Sequence, residues 1–331
     1  MTPTHSPSSN ASQTWVAIQR NPKSGSGRQV REIKELIAEL RNRGIRPRLF
    51  SRRNELDEAV AKCSATQPLC GIVAAGGDGT LLDLINRHPK IPIAVLPLGT
   101  ENLCAKYLGI PRSGSSVAKM IAEGHTSQFD IGSLTSTPVL DQQSVEPESS
   151  SEAEVSQRFI VMASIGFDAA VIHNMHAHRR GNIHRLSYLT PIAQVLKSYS
   201  YPELRVYVDD DPLPIVGRNV IVANLPSYAL GLRVASNAEG TDGVLDVRVL
   251  QQGSLLGMFR YLALIYYRRH ERVKDVISRQ GSQIRIESDE PSPIQIDGDP
   301  AGMTPATITI EKRAGELFVP DSFKSSAVSQ Q

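Results

Sequence analysis

Residues 70–87 constrain this chain more than any other stretch. The apolar run Cys70-Gly-Ile-Val-Ala-Ala75 passes straight into Gly76-Gly-Asp-Gly-Thr80, and a helical pattern over 81–87 follows without a break. A buried strand that feeds a glycine-rich turn and then a helix is the first half of a parallel β-α-β unit. Glycine at 76, 77 and 79 lets the main chain turn sharply and approach a ligand with no Cβ in the way. The helix aims its free N–H groups and the positive end of its dipole at the same place, which suits phosphate oxygens. Thr80 reads as the cap of that helix or as a donor to phosphate. Asp78 reads as a ligand for Mg²⁺ or for a ribose or substrate hydroxyl.

Two further turns fall at comparable places. Trp15-Val-Ala-Ile18 reads as a buried strand and runs into Asn21-Pro-Lys-Ser-Gly-Ser-Gly27. A helix over 28–43 follows, with Val30, Ile33, Leu36, Ile37 and Leu40 on one stripe and Gly44 as its stop. A strand over 47–51 and a helix over 55–64 come next. The strand 91–96 then enters Pro97-Leu-Gly-Thr100-Glu-Asn102, which opens a helix ending before Gly109. Strands alternating with helices predict a parallel sheet covered on both faces, and ligands of such sheets gather beyond the carboxyl ends of the strands. Asn21, Ser24, Gly25 and Arg28 in the first turn, and Thr100 and Asn102 in the third, therefore join Gly76–Thr80 as candidate nucleotide contacts. None of these turns matches GxxxxGK[ST], and the central one departs from GxGxxG.

Beyond residue 131 strands dominate, at 159–165, 204–208, 219–223, 245–250 and 284–287, with helices expected over 183–198 and 254–273. This half is predicted to be a β-rich sandwich or barrel. Residues 135–157 are acidic and serine-rich, without a basic side chain, and are expected to form a disordered loop between two strands. The polar tails 1–13 and 321–331 are expected to lie outside the folded domains.

Composition sets the limits. A chain of 331 residues with 40% hydrophobic and 21% charged residues is ordinary for a soluble, two-domain protein. A net charge of +2 gives no global argument for a nucleic-acid partner. Cys63, Cys70 and Cys104 are odd in number and lack metal-type spacing, which favours a reduced, cytoplasmic setting. The longest apolar-rich run, 255–267, is interrupted by Arg260 and too short to span a bilayer. As part of the helix expected over 254–273 it reads first as a packing helix with a charged end and second as a membrane-contacting one. His173, His176, His178 and His184 do not have the spacing of a metal site and read as part of a solvated basic segment.

The runs Asn21-Pro-Lys-Ser-Gly25, Gly76-Gly-Asp-Gly-Thr80 and Pro97-Leu-Gly-Thr100-Glu-Asn102, in this order, resemble the diacylglycerol kinase catalytic domain, a family of bacterial lipid kinases and sphingosine kinases. The resemblance continues through Ser164-Ile-Gly-Phe-Asp168, Thr241-Asp-Gly-Val-Leu-Asp246 and Ile296-Asp-Gly-Asp299. It implies an N-terminal Rossmann-like α/β domain over 14–130, joined again by a segment around 303–320. It also implies a C-terminal β-sandwich domain over 131–302, with a nucleotide cleft between the two. ATP and Mg²⁺ are the implied cofactors, and a lipid alcohol at a membrane surface the implied substrate, with peripheral attachment and a homo-dimer both left open. By the family's pattern Gly76, Gly77, Gly79 and Thr80 hold phosphates, and Asp297 is the general base with Asp299 in support. Glu239, Asp242 and the Val244 carbonyl match a structural Mg²⁺ site. Asp299 stands where the family usually carries glutamate, and Leu103 where many bacterial members carry an acid.

Read from the residues alone, Asp297-Gly-Asp299 is also an ordinary hairpin turn. Thr241-Asp-Gly243 is equally a hydrated one. Two other functions stay in view. One is an NAD kinase, which shares the Gly76–Thr80 motif and would use Asp78 beside the ribose. The other is a nucleotide-binding regulatory module without catalysis.

Overall fold

Val16, Ala17 and Ile18 are consecutive and fully buried, which marks a strand covered on both faces. The computed structural model describes residues 14–20, 29–63, 67–138, 155–177, 195, 199–228 and 231–323. Among these the chain divides into two units, residues up to Ser127 with Glu316–Phe323, and Gln128–Gly315.

In the first unit Trp15–Arg20 (β1) lies between Arg46–Phe50 (β2) and Leu69–Gly76 (β3), and Ile93–Pro97 (β4) follows β3, all parallel. The helices Gln29–Asn42 (α1), Arg53–Ala61 (α2), Asp78–Arg87 (α3), Leu103–Tyr107 (α4) and Gly114–Glu123 (α5) provide the crossovers. The α1 stripe buries Ile33, Leu36 and Leu40, while Val30 at its start stays exposed. The chain returns to this unit at its end. Leu317 pairs with Ile93, the Val319 amide donates to the His125 carbonyl at 3.0 Å, and Phe323 meets Tyr107 edge-on. The returning piece is Glu316–Phe323, shorter and later than the segment around 303–320 expected from the resemblance.

The second unit is antiparallel. Val276–Gly281 (β12), Leu245–Leu250 (β11), Asn219–Ala223 (β10), Met162–Ile165 (β7) and Pro293–Ile296 (β14) pair in that order. The long strand Asp299–Phe318 (β15) pairs with β14 near its start and with Gln283–Ser288 (β13) further on, and β13 continues to Leu204–Val208 (β8) and Ile215–Gly217 (β9). Thr126–Thr137 (β5) pairs with Val155–Phe159 (β6). Phe159, Ile165, Val206, Val222, Val247 and Ile286 lie in one apolar core between the layers, as in a β-sandwich.

Three expectations need correction, and one helix was not foreseen. The strand expected over 159–165 is two strands, because the amides of 160–162 turn to a side-chain carboxylate described below. The acidic loop begins later and ends earlier, since β5 runs to Thr137 and β6 starts at Val155; 139–154 lie outside the described residues. The helix expected over 254–273 is Leu255–Tyr266 (α7), ended by left-handed Arg268 (φ +55°), with a 3-10 turn at His270–Arg272. A helix not foreseen, Phe167–Ala177 (α6), carries His173 and His176. Most of the helix expected over 183–198 lies outside the described residues. No helix among them is long and apolar enough to cross a membrane.

Candidate active site

β3 ends at Gly76 and α3 begins at Asp78, earlier than the pattern over 81–87 suggested. The N-cap is therefore Gly77, a residue with no side chain to make a cap bond. Thr80 is not the cap. It is buried in the first turn, and its Cβ lies 2.7 Å from where a Cβ on Gly76 would sit. The Leu98 and Gly99 amides both donate to the Gly76 carbonyl, at 2.9 and 3.1 Å, which presses the 97–102 turn onto the glycine turn. A Cβ at Gly99 would stand 2.6 Å from the Gly77 Cα and 2.8 Å from Asn102 Oδ1. Gly79 is different in kind: among the described residues nothing lies within 4 Å of its Cβ position. The fold needs Gly99 bare, whereas no described residue fills the space over Gly79.

Asp78 does not present a free carboxylate. Its Oδ2 accepts from the Leu103 amide at 2.8 Å and its Oδ1 from the Cys104 amide at 3.0 Å, so it caps α4 from the neighbouring turn. Burial pushes its carboxyl up, and those two amides pull it back. Both Asp78 oxygens thus serve main-chain amides, where the sequence led to the expectation of a Mg²⁺ or hydroxyl contact. Asn102 is likewise turned inward. In a left-handed conformation (φ +50°), it accepts from the Gly99 amide at 2.9 Å and donates to the Gly99 carbonyl at 2.8 Å, closing its own turn. Thr100 is exposed at the tip. Asn21, Ser24, Gly25 and Arg28 lie outside the described residues.

In the second unit Ile296 pairs with Asp299 across the two-residue loop Asp297-Gly298, whose φ values of +49° and +93° make a hairpin of the Asp-Gly kind. The Asp297 carboxylate reaches across to the β6–β7 break. Oδ2 accepts from the Ile160 amide at 2.8 Å, and Oδ1 from the Val161 and Met162 amides at 3.0 and 2.9 Å. Three main-chain donors thus hold this side chain. Asp299 is about three-quarters exposed, and its Oδ1 is 3.5 Å from His176 Nε2.

Behind the turn runs a chain of bonds that sequence reading did not find. The Gly298 amide donates to Gln295 Oε1 at 2.8 Å, Gln295 Nε2 donates to Ser164 Oγ at 2.6 Å, and Ser164 donates to Asp168. Burial pushes the Asp168 carboxyl up. Gln295 gave no signal because an Ile-Gln-Ile strand normally turns its glutamine to solvent. Here that face is covered.

The proposed metal ligands share one turn. The Val244 amide donates to Asp242 Oδ1 at 3.1 Å. Buried Asp130 accepts from the Gly243 and Arg313 amides, each at 2.7 Å. Asp130 was not among the residues singled out in the sequence. The Asp242 carboxyl is pushed up to about 6, first by desolvation and then by Asp246, Asp130 and Glu239 nearby, against the Val244 amide. Oxygen donors crowded by like charge suit a hard cation. Glu239, Asp242 and the Val244 carbonyl would supply them, although no group of three or more acidic, histidine or cysteine side chains among the described residues is placed to hold a metal.

The raised value fixes the pH dependence. An acid whose folded pKa exceeds its unfolded one stabilises the fold below about pH 4, and that contribution is lost as pH rises through about 6. Asp242→Asn should raise the melting temperature by about 2–4 °C near pH 7 and change it little near pH 4, taking about 1 kcal/mol after allowing for solvent screening. Added Mg²⁺ should reproduce the gain in wild type alone. Melting curves with and without Mg²⁺ test this, and a wild-type curve indifferent to Mg²⁺ would remove the metal assignment.

Comparison with known proteins adds the following. Residues 16–134 match the model of the diacylglycerol kinase catalytic domain, and 161–319 match the YegS C-terminal NAD kinase beta sandwich-like domain. A relative named diacylglycerol kinase from Staphylococcus carnosus is 23% identical, covering 94% of this chain and 97% of its own. One of the same name from Mycobacterium tuberculosis is 25% identical, covering 92% and 95%. A solved structure described as a diacylglycerol kinase from Bacillus anthracis superposes with a TM-score of 0.62 at 16% identity, over 94% of this chain and 98% of that one. That last likeness establishes the fold alone.

Proposed function

The chain belongs to the family that joins a diacylglycerol kinase catalytic domain to a YegS-type C-terminal domain, and from that premise we propose that it transfers the γ-phosphate of ATP to a hydroxyl of diacylglycerol or a related long-chain lipid alcohol. One observation carries the nucleotide half of this reading: no described residue fills the space over Gly79 in the first turn of α3. Helix N–H groups and dipole favour phosphate there, and a bare glycine lets the phosphate come close. The exposed Thr100 hydroxyl on the adjoining turn is a further donor. Gly76, Gly77, Gly99, Asp78 and Asn102 act one step back, by holding the two turns together.

When bound, Mg²⁺-ATP supplies a phosphoryl group with part of its charge neutralised. The protein's share is alignment and one proton transfer. Asp297 is proposed as the base, as the family's pattern has it, taking the hydroxyl proton while three amides keep its carboxylate oriented. A second assignment is favoured by those same bonds: Asp297 holds the turn, and the exposed Asp299 takes the proton. The NAD-kinase reading is weakened, since Asp78, the carboxylate it needed, is committed to two amides.

Labelled ATP incubated with diacylglycerol, a sphingoid base and a total lipid extract, followed by separation of the products, tests the proposal. Label should appear in a phospholipid only when Mg²⁺ is present. Conversion of NAD to NADP without lipid labelling would move the chain to the runner-up. ATP binding with no transfer to any acceptor would make it a regulatory module.

A further inference from the structure

α7 is apolar on two sides, and only one of them is used. Ser254 caps its start by accepting from the Gly257 amide at 3.1 Å, and Met258, Tyr261 and Ile265 are buried. The outer side carries Leu255 (41% exposed), Leu256 (79%), Phe259 (56%), Leu262 (49%) and Tyr266 (70%), with Tyr267 (70%) just beyond the last turn. Leu255, Phe259, Leu262 and Tyr266 follow steps of four, three and four, so they form one continuous stripe. A helix apolar all round ordinarily has both sides covered. Of the large hydrophobic side chains left exposed among the described residues, most are on this one segment.

The charges around the stripe identify what covers it. Both acids after the helix face inward. Glu271 accepts from Arg248 at 2.8 Å and from the Ser236 amide at 3.2 Å. Asp275 accepts from Arg260 at 2.6 Å and from the Tyr261 hydroxyl at 2.9 Å. Arg268, Arg269, Arg272 and Lys274 are exposed and make no ion pair among the described residues. The segment therefore shows solvent hydrocarbon, then two tyrosines, then uncompensated cations. That order matches a bilayer boundary, where apolar side chains enter the acyl region, aromatic rings sit at headgroup depth and cations meet anionic headgroups. A second copy of the chain is a poorer occupant. Twelve residues of helix extend only about 18 Å, a footprint well short of the roughly 800 Å² per partner of a stable interface, and the cations carry no complementary acids.

We propose that the outer face of α7, with the cations at Arg268, Arg269, Arg272 and Lys274, is a docking surface for an anionic lipid bilayer. It rests on the lipid-acceptor reading for its purpose, since it would bring the enzyme to a membrane-borne substrate. The docking itself is measured without turnover.

The test is flotation of the full chain with vesicles of phosphatidylcholine alone and of phosphatidylcholine with phosphatidylglycerol. Wild type should float with the mixed vesicles, less so as salt is raised, and barely with phosphatidylcholine alone. Leu256→Glu with Phe259→Glu should weaken binding to mixed vesicles by at least about 30-fold, because two inserted side chains are lost. Arg268→Glu with Arg269→Glu should cost about fivefold or more per cation on mixed vesicles only. Both variants alter exposed positions, so their melting temperatures should stay within about 2 °C of wild type. Wild type that ignores anionic vesicles, or a Leu256/Phe259 variant that floats like wild type, overturns the proposal. So does a wild-type dimer that this variant splits. Vesicle binding without phosphorylation of any lipid would uphold the docking surface while removing the kinase reading.

Discussion

Asp297→Ala is expected to lower the melting temperature by about 8–16 °C and turnover by at least about 100-fold. The stability loss follows from the three amides that the carboxylate serves. Ile160, Val161 and Met162 are buried, and their N–H groups would lose a charged acceptor together. At about 1.5 kcal/mol or more for each such bond, less what water recovers, the cost comes to about 4 kcal/mol. Alanine is also less at ease than aspartate at φ +49°. Asp297→Asn separates the two roles. It keeps a side-chain oxygen and tolerates the left-handed turn, so about half the stability should remain, but it cannot take a proton. Assayed below its melting point, the Asp297→Asn variant should still be inactive if Asp297 is the base. Near-normal turnover there, with loss of activity in Asp299→Asn, would pass the base role to Asp299. That second change should leave stability within about 0.5 kcal/mol, because Asp299 is exposed.

The architecture was legible because its signals are local. Consecutive buried residues in β1, β3 and β4 announce strands covered on both faces, and the stripe of α1 announces a helix with one face buried. Strands 204–208, 219–223 and 245–250 follow the same reasoning, and each is found at the residues expected. What stayed hidden depends on contacts between distant residues. Nothing near residue 160 says that a carboxylate 137 positions later will take its amides and split a strand. Nothing near Asp78 says that the next turn's helix will use it as a cap. Within the motifs, the side chains of Asp78 and Asn102 meet main-chain groups. Asp78 and Asn102 read as ligands because acids and amides are what ligands need, yet turns need the same groups to satisfy their own main chain. Gly99 was passed over within a run already singled out, since a glycine required for close approach looks like any other in sequence. The sequence left the helix over 254–273 with two readings, packing and membrane contact, because apolar periodicity does not say how many sides will be covered.

The glycines separate what the fold requires from what a ligand requires. Gly99→Ala should destabilise the first unit by about 2–3 kcal/mol, since its methyl meets the Gly77 main chain at 2.6 Å and neither turn can yield without moving the other. Nucleotide binding should fall with it, as a consequence of the deformed turns. Gly79→Ala should do the reverse. Position 79 lies in the first turn of α3 with no positive φ and no described neighbour within 4 Å, so alanine there should raise stability by about 0.4–1 kcal/mol. The same methyl would occupy the space assigned to phosphate, and ATP affinity should drop by at least about tenfold, or 1.4 kcal/mol. Thermal melting with and without Mg²⁺-ATP reads both effects at once: a higher melting point than wild type without nucleotide, and a smaller shift on adding it. A Gly79→Ala protein that keeps the full ATP-induced shift would mean that phosphate does not approach this turn, and the nucleotide half of the proposal would have to be placed elsewhere.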